Sequence, residues 1–355
     1  MAEPTKEAIG DVQAAFKAEP SAALCCYKAQ SVLVDGLQST LSFPNTPEHG
    51  SMVVDEPPMM PGGKDAGPNP MDLCLGALTT CQEIAYKAYA TAMGIPLRSV
   101  ACECSGDLDL AGFLGVDAAA PCGFSKITGT VTIDCDATDD QLAQLKAAVD
   151  GHCPMCDFLG GTCSMTLAAE RVAPEAGAAA PKDDGLTAEA IGDLGAALGA
   201  DRSAGKAVYK ASSKLEAGLK TTLALPNTPH HGPFVVDEPE SMPGGQNAGP
   251  NPLDLVLGAI TTCQDITYKA YATAMKIPLA KVETACEGDV DLRGFLGVDP
   301  AVRAGFMAIR GTVKLHTTAT EDQVTALKGA VDAHCPMCAT VAVKICPEIT
   351  LVKKA

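Results

Sequence analysis

The 355-residue sequence contains no tryptophan and only 4% aromatic residues, so it has little from which to build a stacking platform for bases or sugars. Cationic residues are also scarce. Lys and Arg number 26 against 43 Asp and Glu, a formal net charge of -17, and a polyanion repels phosphate backbones and anionic lipid headgroups. Neither nucleic acid nor a membrane is therefore an expected partner. No uninterrupted apolar run approaches the roughly 20 residues of a membrane span; the best stretch, Leu73 to Met93, is broken by Gln82, Glu83 and Lys87. The N-terminal stretch carries Glu3, Lys6, Glu7 and Asp11 where a secretory leader would be apolar, which sets a reducing cytoplasm as the expected compartment. With 47% hydrophobic and 19% charged residues, the chain is too apolar to be disordered as a whole.

What is abundant is cysteine, 16 residues, and the sequence repeats itself. Cys81 and Cys263 lie in TTCQE and TTCQD, Cys153 and Cys335 in two copies of HCPMC, and both separations are 182 residues. The same offset relates Pro44–Pro47 to Pro226–Pro229 and Gly112–Asp117 to Gly294–Asp299, and about three-quarters of positions from Pro44 to Ile95 match their partners. A period this long makes each copy a whole domain. The expected organisation is domain 1 over residues 1–173, an Ala-, Pro- and acid-rich linker over 174–185, and domain 2 over 186–355.

Each copy predicts a short amphipathic helix (Thr5 to Phe16, Thr187 to Leu198), then a hairpin from Leu24 to Phe43 turning at Asp35-Gly36, with a weaker counterpart from Tyr209 to Leu225. A third strand at Met52 to Asp55 precedes a Pro- and Gly-rich loop that ends at Pro70. From there Leu73, Ala77, Cys81, Ile84, Ala88 and Ala92 recur at helical spacing to about Met93, with Cys81 facing inward. Strands at Leu97 to Asp109 and Lys126 to Asp134, a helix capped by Thr138, a short helix from Pro154 and a last strand at Thr162 to Val172 complete an α+β unit.

The two copies act as their own small alignment. Of the cysteines only Cys81/Cys263, Cys104/Cys286, Cys153/Cys335 and Cys156/Cys338 occur in both, and the unmatched remainder read as small buried hydrophobes. Pro154 directly after Cys153 places that thiol at a helix N-cap, where backbone N–H groups favour a thiolate. Cys156 follows one turn later, the spacing of a dithiol redox pair and equally of a metal-ligand pair. With His152 alongside, a zinc site made of His152, Cys153, Cys156 and Cys81, and of His334, Cys335, Cys338 and Cys263 in the second copy, is the alternative reading; otherwise no cofactor is expected. His49 and His231 are the other matched histidines, each in a loop where a structural hydrogen bond is the simpler role. Asp107, Asp109 and Asp117, matched by Asp289, Asp291 and Asp299, favour turn formation over a cation loop.

These motifs, in this order, resemble the osmotically induced protein C (OsmC) and organic hydroperoxide resistance (Ohr) superfamily: Asn69-Pro70-Met71-Asp72-Leu73 opening the central helix, Cys81 within it, Gly106 to Asp109 and Gly112 to Gly115, then His152-Cys153-Pro154. The second copy repeats the set at Asn251 to Leu255, Cys263, Gly288 to Gly297 and His334-Cys335-Pro336. The resemblance implies antiparallel sheets packed around central helices, two interlocked subunits supplied here by one chain as a pseudo-dimer that functions as a monomer, and a thiol peroxidase. Cys81 and Cys263 would attack the hydroperoxide, and Cys153 and Cys335 would resolve the sulfenic acid to a disulfide that a cellular dithiol reduces, with Cys156 and Cys338 as additional resolving candidates. The family's orienting glutamate upstream of the helix cysteine is replaced by Met71 and Leu253, leaving Asp72 and Asp254 as supporting acids together with the matched histidines. No arginine is matched between the copies, so Lys28/Lys210 and Lys87/Lys269 become the candidate cations for the thiolate.

Overall fold

The computed structural model describes residues 3–161, 163–175 and 185–354. In the first repeat the chain runs α1 (Lys6–Ala18), β1 (Leu24–Asp35), β2 (Gln38–Ser42), β3 (Ser51–Val54), α2 (Pro70–Met93), β4 (Leu97–Asp109), α3 (Leu110–Phe113), β5 (Lys126–Cys135), α4 (Asp139–His152), α5 (Pro154–Gly160) and β6 (Ser164–Val172). The second repeat follows the same order: α6 (Ala188–Ala200), β7 (Lys206–Ala217), β8 (Lys220–Ala224), β9 (Phe234–Val236), α7 (Pro252–Ala274), β10 (Lys281–Asp291), α8 (Leu292–Phe295), β11 (Ala308–His316), α9 (Glu321–His334), α10 (Pro336–Ala342) and β12 (Glu348–Lys353). Most of the expected linker, residues 176–184, lies outside the described residues.

The strands form two six-stranded sheets, ordered β3-β2-β1-β10-β11-β6 and β12-β5-β4-β7-β8-β9. Each sheet mixes both repeats. The first-repeat hairpin joins the second repeat where β1 pairs antiparallel with β10, from Leu24 opposite Asp291 to Val32 opposite Glu283. Its mirror is β4 against β7, from Ala101 opposite Lys214 to Asp109 opposite Lys206. The pairings are antiparallel except at one edge of each sheet, where β6 runs parallel to β11 and β12 parallel to β5. The α+β architecture of two tandem repeats is thus an interlocked one, in which neither repeat completes a sheet from its own strands.

The central helices α2 and α7 pack on each other and on the sheets. Asn69 caps α2 by accepting from the Met71 and Asp72 N–H groups, Pro70 occupies the first turn, and Gly94 ends the helix in the left-handed region. Periodicity suggests one apolar face for α2. Instead, every residue from Pro70 to Tyr86 is buried, polar Thr79, Thr80, Gln82 and Glu83 included, because the helix is covered on all sides. A helix enclosed in this way carries polar side chains only where each finds a partner. Thr80 Oγ1 returns its hydrogen to the Gly76 carbonyl at 2.8 Å, and Glu83 accepts from the Cys102 N–H at 2.9 Å. In α7 the matching Asp265 ties the repeats together, accepting from Thr284 Oγ1 at 2.6 Å within its own repeat and from Ser39 Oγ at 3.0 Å in the other.

Candidate active site

Cys81 lies in the middle of α2, and Cys153 is the joint between α4 and α5, closing one helix and capping the next ahead of Pro154. Folding brings the two sulfurs to 3.5 Å, and Cys263 and Cys335 to 3.4 Å, all four buried. A disulfide needs about 2.05 Å, so closure asks for roughly 1.5 Å of sulfur travel, within reach of side-chain rotation. Cys156 contributes differently: its sulfur accepts from Gln82 Nε2 at 3.1 Å, and the second site repeats the contact from Gln264 to Cys338 at 3.2 Å.

The two thiols of each pair are not equivalent. Burial, then the hydrogen bond to Cys153, pushes the Cys81 thiol well up. Burial acts the same way on Cys153 but is outweighed there by donation from the Cys156 and Cys81 thiols, the Cys156 N–H and Gln82, which together hold Cys153 well below an ordinary thiol. Cys335 is lowered likewise against its burial, by Cys263, Cys338 and Gln264. Within each pair the capping cysteine is therefore the better acid and the helix cysteine the weaker one. These donors are neutral. Two of the four lysines expected as counter-cations are engaged elsewhere, Lys28 with Glu287 at 3.0 Å and Lys87 with Glu3 at 2.8 Å.

A cavity borders the helix cysteine and not its capping partner. A cavity of about 30 Å³ reaches Cys263 and is lined by Met60, Met71, Leu108, Leu110 and Phe113 of the first repeat, with Ile266 of the second. Glu56 and Tyr209 also face it. Burial, then the charges of Asp72 and Asp55, lifts the Glu56 carboxyl to about 8. Asp72 itself is raised to about 7 by burial; one of its oxygens accepts from the Asn69 N–H and the other is buried without a partner. Tyr209 lies beside Glu56, Asp72, Asn69 and Cys263. Asp72 and Cys263, from different repeats, thus meet at Tyr209, and the surroundings of the thiol are composite. Across the repeat, Tyr27, Glu238, Asn251 and Asp254 form the same cluster. A larger concavity of about 530 Å³ lies on the sheet face around Cys104, and neither thiol pair lines it.

The histidines take structural posts. His152 donates from Nδ1 to the Ala148 carbonyl at 2.8 Å and packs on Tyr89, whose hydroxyl reaches the Phe295 carbonyl of the other repeat at 2.5 Å. His334, Tyr271 and Phe113 repeat the arrangement. His49 and His231 bind Asn247 and Asp65, across the repeat boundary. The zinc alternative on His152, Cys153, Cys156 and Cys81, with its second-copy set His334, Cys335, Cys338 and Cys263, is not gathered by the fold. Among the described residues, the one group of three or more His, Cys, Asp or Glu whose ligand atoms converge within 4.8 Å is Asp65, His230 and His231. The acidic loop is a cap rather than a cation site: Asp109 accepts from the Ala111 N–H and pairs with Arg202 and Lys206, and Asp291 pairs with Arg293. Gln82, Glu56 and Tyr209 were not among the expected site residues, although all three are matched in the other copy, as Gln264, Glu238 and Tyr27.

Interlocked repeats with a paired-thiol centre under each central helix define a class of dithiol proteins that is dimeric in design. Two segments, residues 62–168 and 244–350, match the profile described as OsmC-like protein, and together they cover more than half of the chain. The chain belongs to the OsmC-like family, as a tandem two-domain member. A search of curated proteins returned no significant match. Among the described residues, no helix is long and apolar enough to cross a membrane.

Proposed function

We propose that the protein is a two-site, cysteine-dependent reductase of organic hydroperoxides. The observation that carries this reading is a buried thiol pair at 3.5 Å, repeated at 3.4 Å in the second copy, with one thiol of each pair held as the better acid. An apolar wall at Cys263 suits an alkyl or aryl substituent on the peroxide.

In the resting pair Cys81 carries the shared hydrogen and Cys153 the charge. As a hydroperoxide enters, the proton passes to Cys153, and the Cys81 thiolate attacks the outer peroxide oxygen. The S–O bond forms as the O–O bond breaks, leaving a sulfenic acid on Cys81 and an alkoxide that takes the proton back from Cys153 and departs as the alcohol. The Cys153 thiolate then attacks the Cys81 sulfur, an S–S bond forms, and hydroxide leaves to be protonated by solvent. A dithiol reductant restores both thiols by exchange. Cys156 and Gln82 hold the thiolate in place throughout, a positioning role. Turnover of this kind fits a reducing compartment such as the cytoplasm, and a chain that completes both sites alone fits a monomer.

The test is dithiol-coupled reduction of an organic hydroperoxide by the full chain, beside Cys81→Ser, Cys263→Ser and the double variant. Each single variant should keep about half the activity, since independent sites add, and the double variant none; activity that survives the double change refutes the proposal.

A further inference from the structure

We infer that Asp65, His230 and His231 form a binding site for one divalent transition-metal ion of the zinc class, present in one half of the molecule only. His230 Nε2 lies 2.9 Å from Asp65 Oδ2, His231 Nε2 lies 3.0 Å from Asp65 Oδ1, and the two rings lie side by side, tilted by 53° with centroids 4.0 Å apart. All three ligand atoms fall within 4.8 Å of one another. Ligands at about 2.1 Å from a metal and at right angles to each other stand about 3.0 Å apart, so these separations are those of adjacent corners of one coordination sphere. Two imidazoles and a carboxylate suit zinc, cobalt or nickel rather than calcium or magnesium, which take oxygen ligands. The site is open: the His230 side chain is 56% exposed, Asp65 26% and His231 13%, leaving the remaining positions to water. The metal takes the lone pair of each Nε2, and each neutral ring then carries its single proton on Nδ1.

The second half supplies an internal control. At the corresponding corner stand Asn247, Glu48 and His49, so two of the three ligands differ at once. That corner is closed by side-chain hydrogen bonds: His49 Nε2 meets Asn247 Oδ1 at 3.2 Å, and Asn247 Nδ2 donates to Glu48. Both Asp65 and Asn247 hold the left-handed backbone, with φ of 54° and 52°, so the two side chains start from the same geometry. The difference lies in the donor set. In the metal-bound form the 57–70 loop of the first repeat and the 226–233 loop of the second are joined through one ion, which adds a cross-repeat tie outside the sheets.

Cobalt(II) is the probe, titrated into the reduced, chelator-treated full chain. Thiolate ligation produces intense near-ultraviolet charge-transfer bands, whereas imidazole and carboxylate ligation gives weak visible bands alone, so the spectrum separates this site from the cysteines. One equivalent with visible bands only is expected for the parent chain. Asp65→Asn should weaken binding at least about tenfold, the scale on which even outer-shell losses act. The double change Glu48→His with Asn247→Asp should install a second equivalent, a gain that misfolding does not mimic. The inference is overturned if the parent chain binds no cobalt, if charge-transfer bands accompany binding, or if Asp65→Asn leaves affinity unchanged.

Discussion

Replacing Cys153 by alanine in a chain that already carries Cys263→Ser and Cys335→Ser isolates one site and removes its proton acceptor. What remains is a buried helix thiol whose neighbours no longer hold a thiolate for it. Cys74, on the same helix, shows what enclosure alone does: burial pushes that thiol up to about 12. At pH 7 a thiol of that acidity is ionised in about one molecule in 10⁵, since each pH unit is a factor of ten. Part of the loss returns through basicity, because a thiolate about five units more basic is roughly 10² to 10²·⁵ times more nucleophilic at a Brønsted slope of about 0.4–0.5. Sulfenic acid formation should therefore slow at neutral pH by up to on the order of 10³, the limit reached when the parent pair passes the Cys81 proton freely to Cys153, and its rate should climb with alkalinity where the parent site is flat. The assay is rapid mixing with an organic hydroperoxide, trapping by a cyclic 1,3-diketone and intact-mass quantification across about pH 6 to 9. A first-step rate within about tenfold of the parent, with the parent's pH profile, would refute the shared-proton scheme and leave Cys153 as a resolving thiol alone.

Gly106→Val should be strongly destabilising, because a Cβ there would stand 2.5 Å from the buried Phe124 ring; thermal unfolding should report overpacking of about 1–3 kcal/mol, and an unchanged midpoint refutes the packing account. Asp265 is raised from 3.8 to about 7 by burial, so the stability tied to its proton is complete below the unfolded value and is lost as pH rises through 7. Asp265→Asn should accordingly gain on the parent chain between about pH 4 and 7, by up to about 1.4 kcal/mol per pH unit in denaturant unfolding, and a constant difference argues against it. Separately expressed segments, residues 3–175 and 185–354, should copurify as a one-to-one complex, since β1 against β10 and β4 against β7 each join nine residue pairs across the repeats; segments that fold and migrate apart would contradict the interlocking.

The repeat is visible in the sequence because 182-residue spacing survives at every motif, and the strands and helices of one repeat are legible because turn and cap residues bound them: Asp35-Gly36, Asn69-Pro70 and Thr138 each end or begin an element in place. The cross-repeat pairing is not legible. Nothing in β1 specifies β10 rather than β4 as its neighbour, since the two share their pattern, and only three-dimensional closure decides between them. The same ambiguity hides the composite wall of the site. Asp72 stands nine residues before Cys81 in the chain, yet it clusters with Tyr209 at Cys263. Cys81 and Cys153 could be marked as partners, but which of them is the better acid depends on the Cys156 thiol and on Gln82, which looks in sequence like one more polar residue on a helix. Its burial is a tertiary fact, and so is the neutrality of the donor shell, in which Lys28 and Lys87 take no part.

Because each thiol pair comes from one repeat and part of its cavity from the other, drift in either copy alters both sites. The Cys263 cavity is lined by Met71, Leu108 and Thr267. Their partners at the 182-residue offset are Leu253, Val290 and Ala85, each smaller or shorter, so the Cys81 cavity should be the roomier of the two. A change of one methylene in an apolar pocket is worth about 1–3 kcal/mol of discrimination, so the sites should differ in their ratio of bulky to compact hydroperoxide by on the order of tenfold. Cys263→Ser leaves the Cys81 site to be read alone, and Cys81→Ser leaves the Cys263 site. Comparing kcat/KM for an aryl and a small alkyl hydroperoxide in the two variants checks the difference: the chain retaining Cys81 should favour the bulkier substrate. Equal ratios would mean that the lining residues do not touch the substrate, and that the cavity above the helix cysteine serves as an entry for the peroxide group alone.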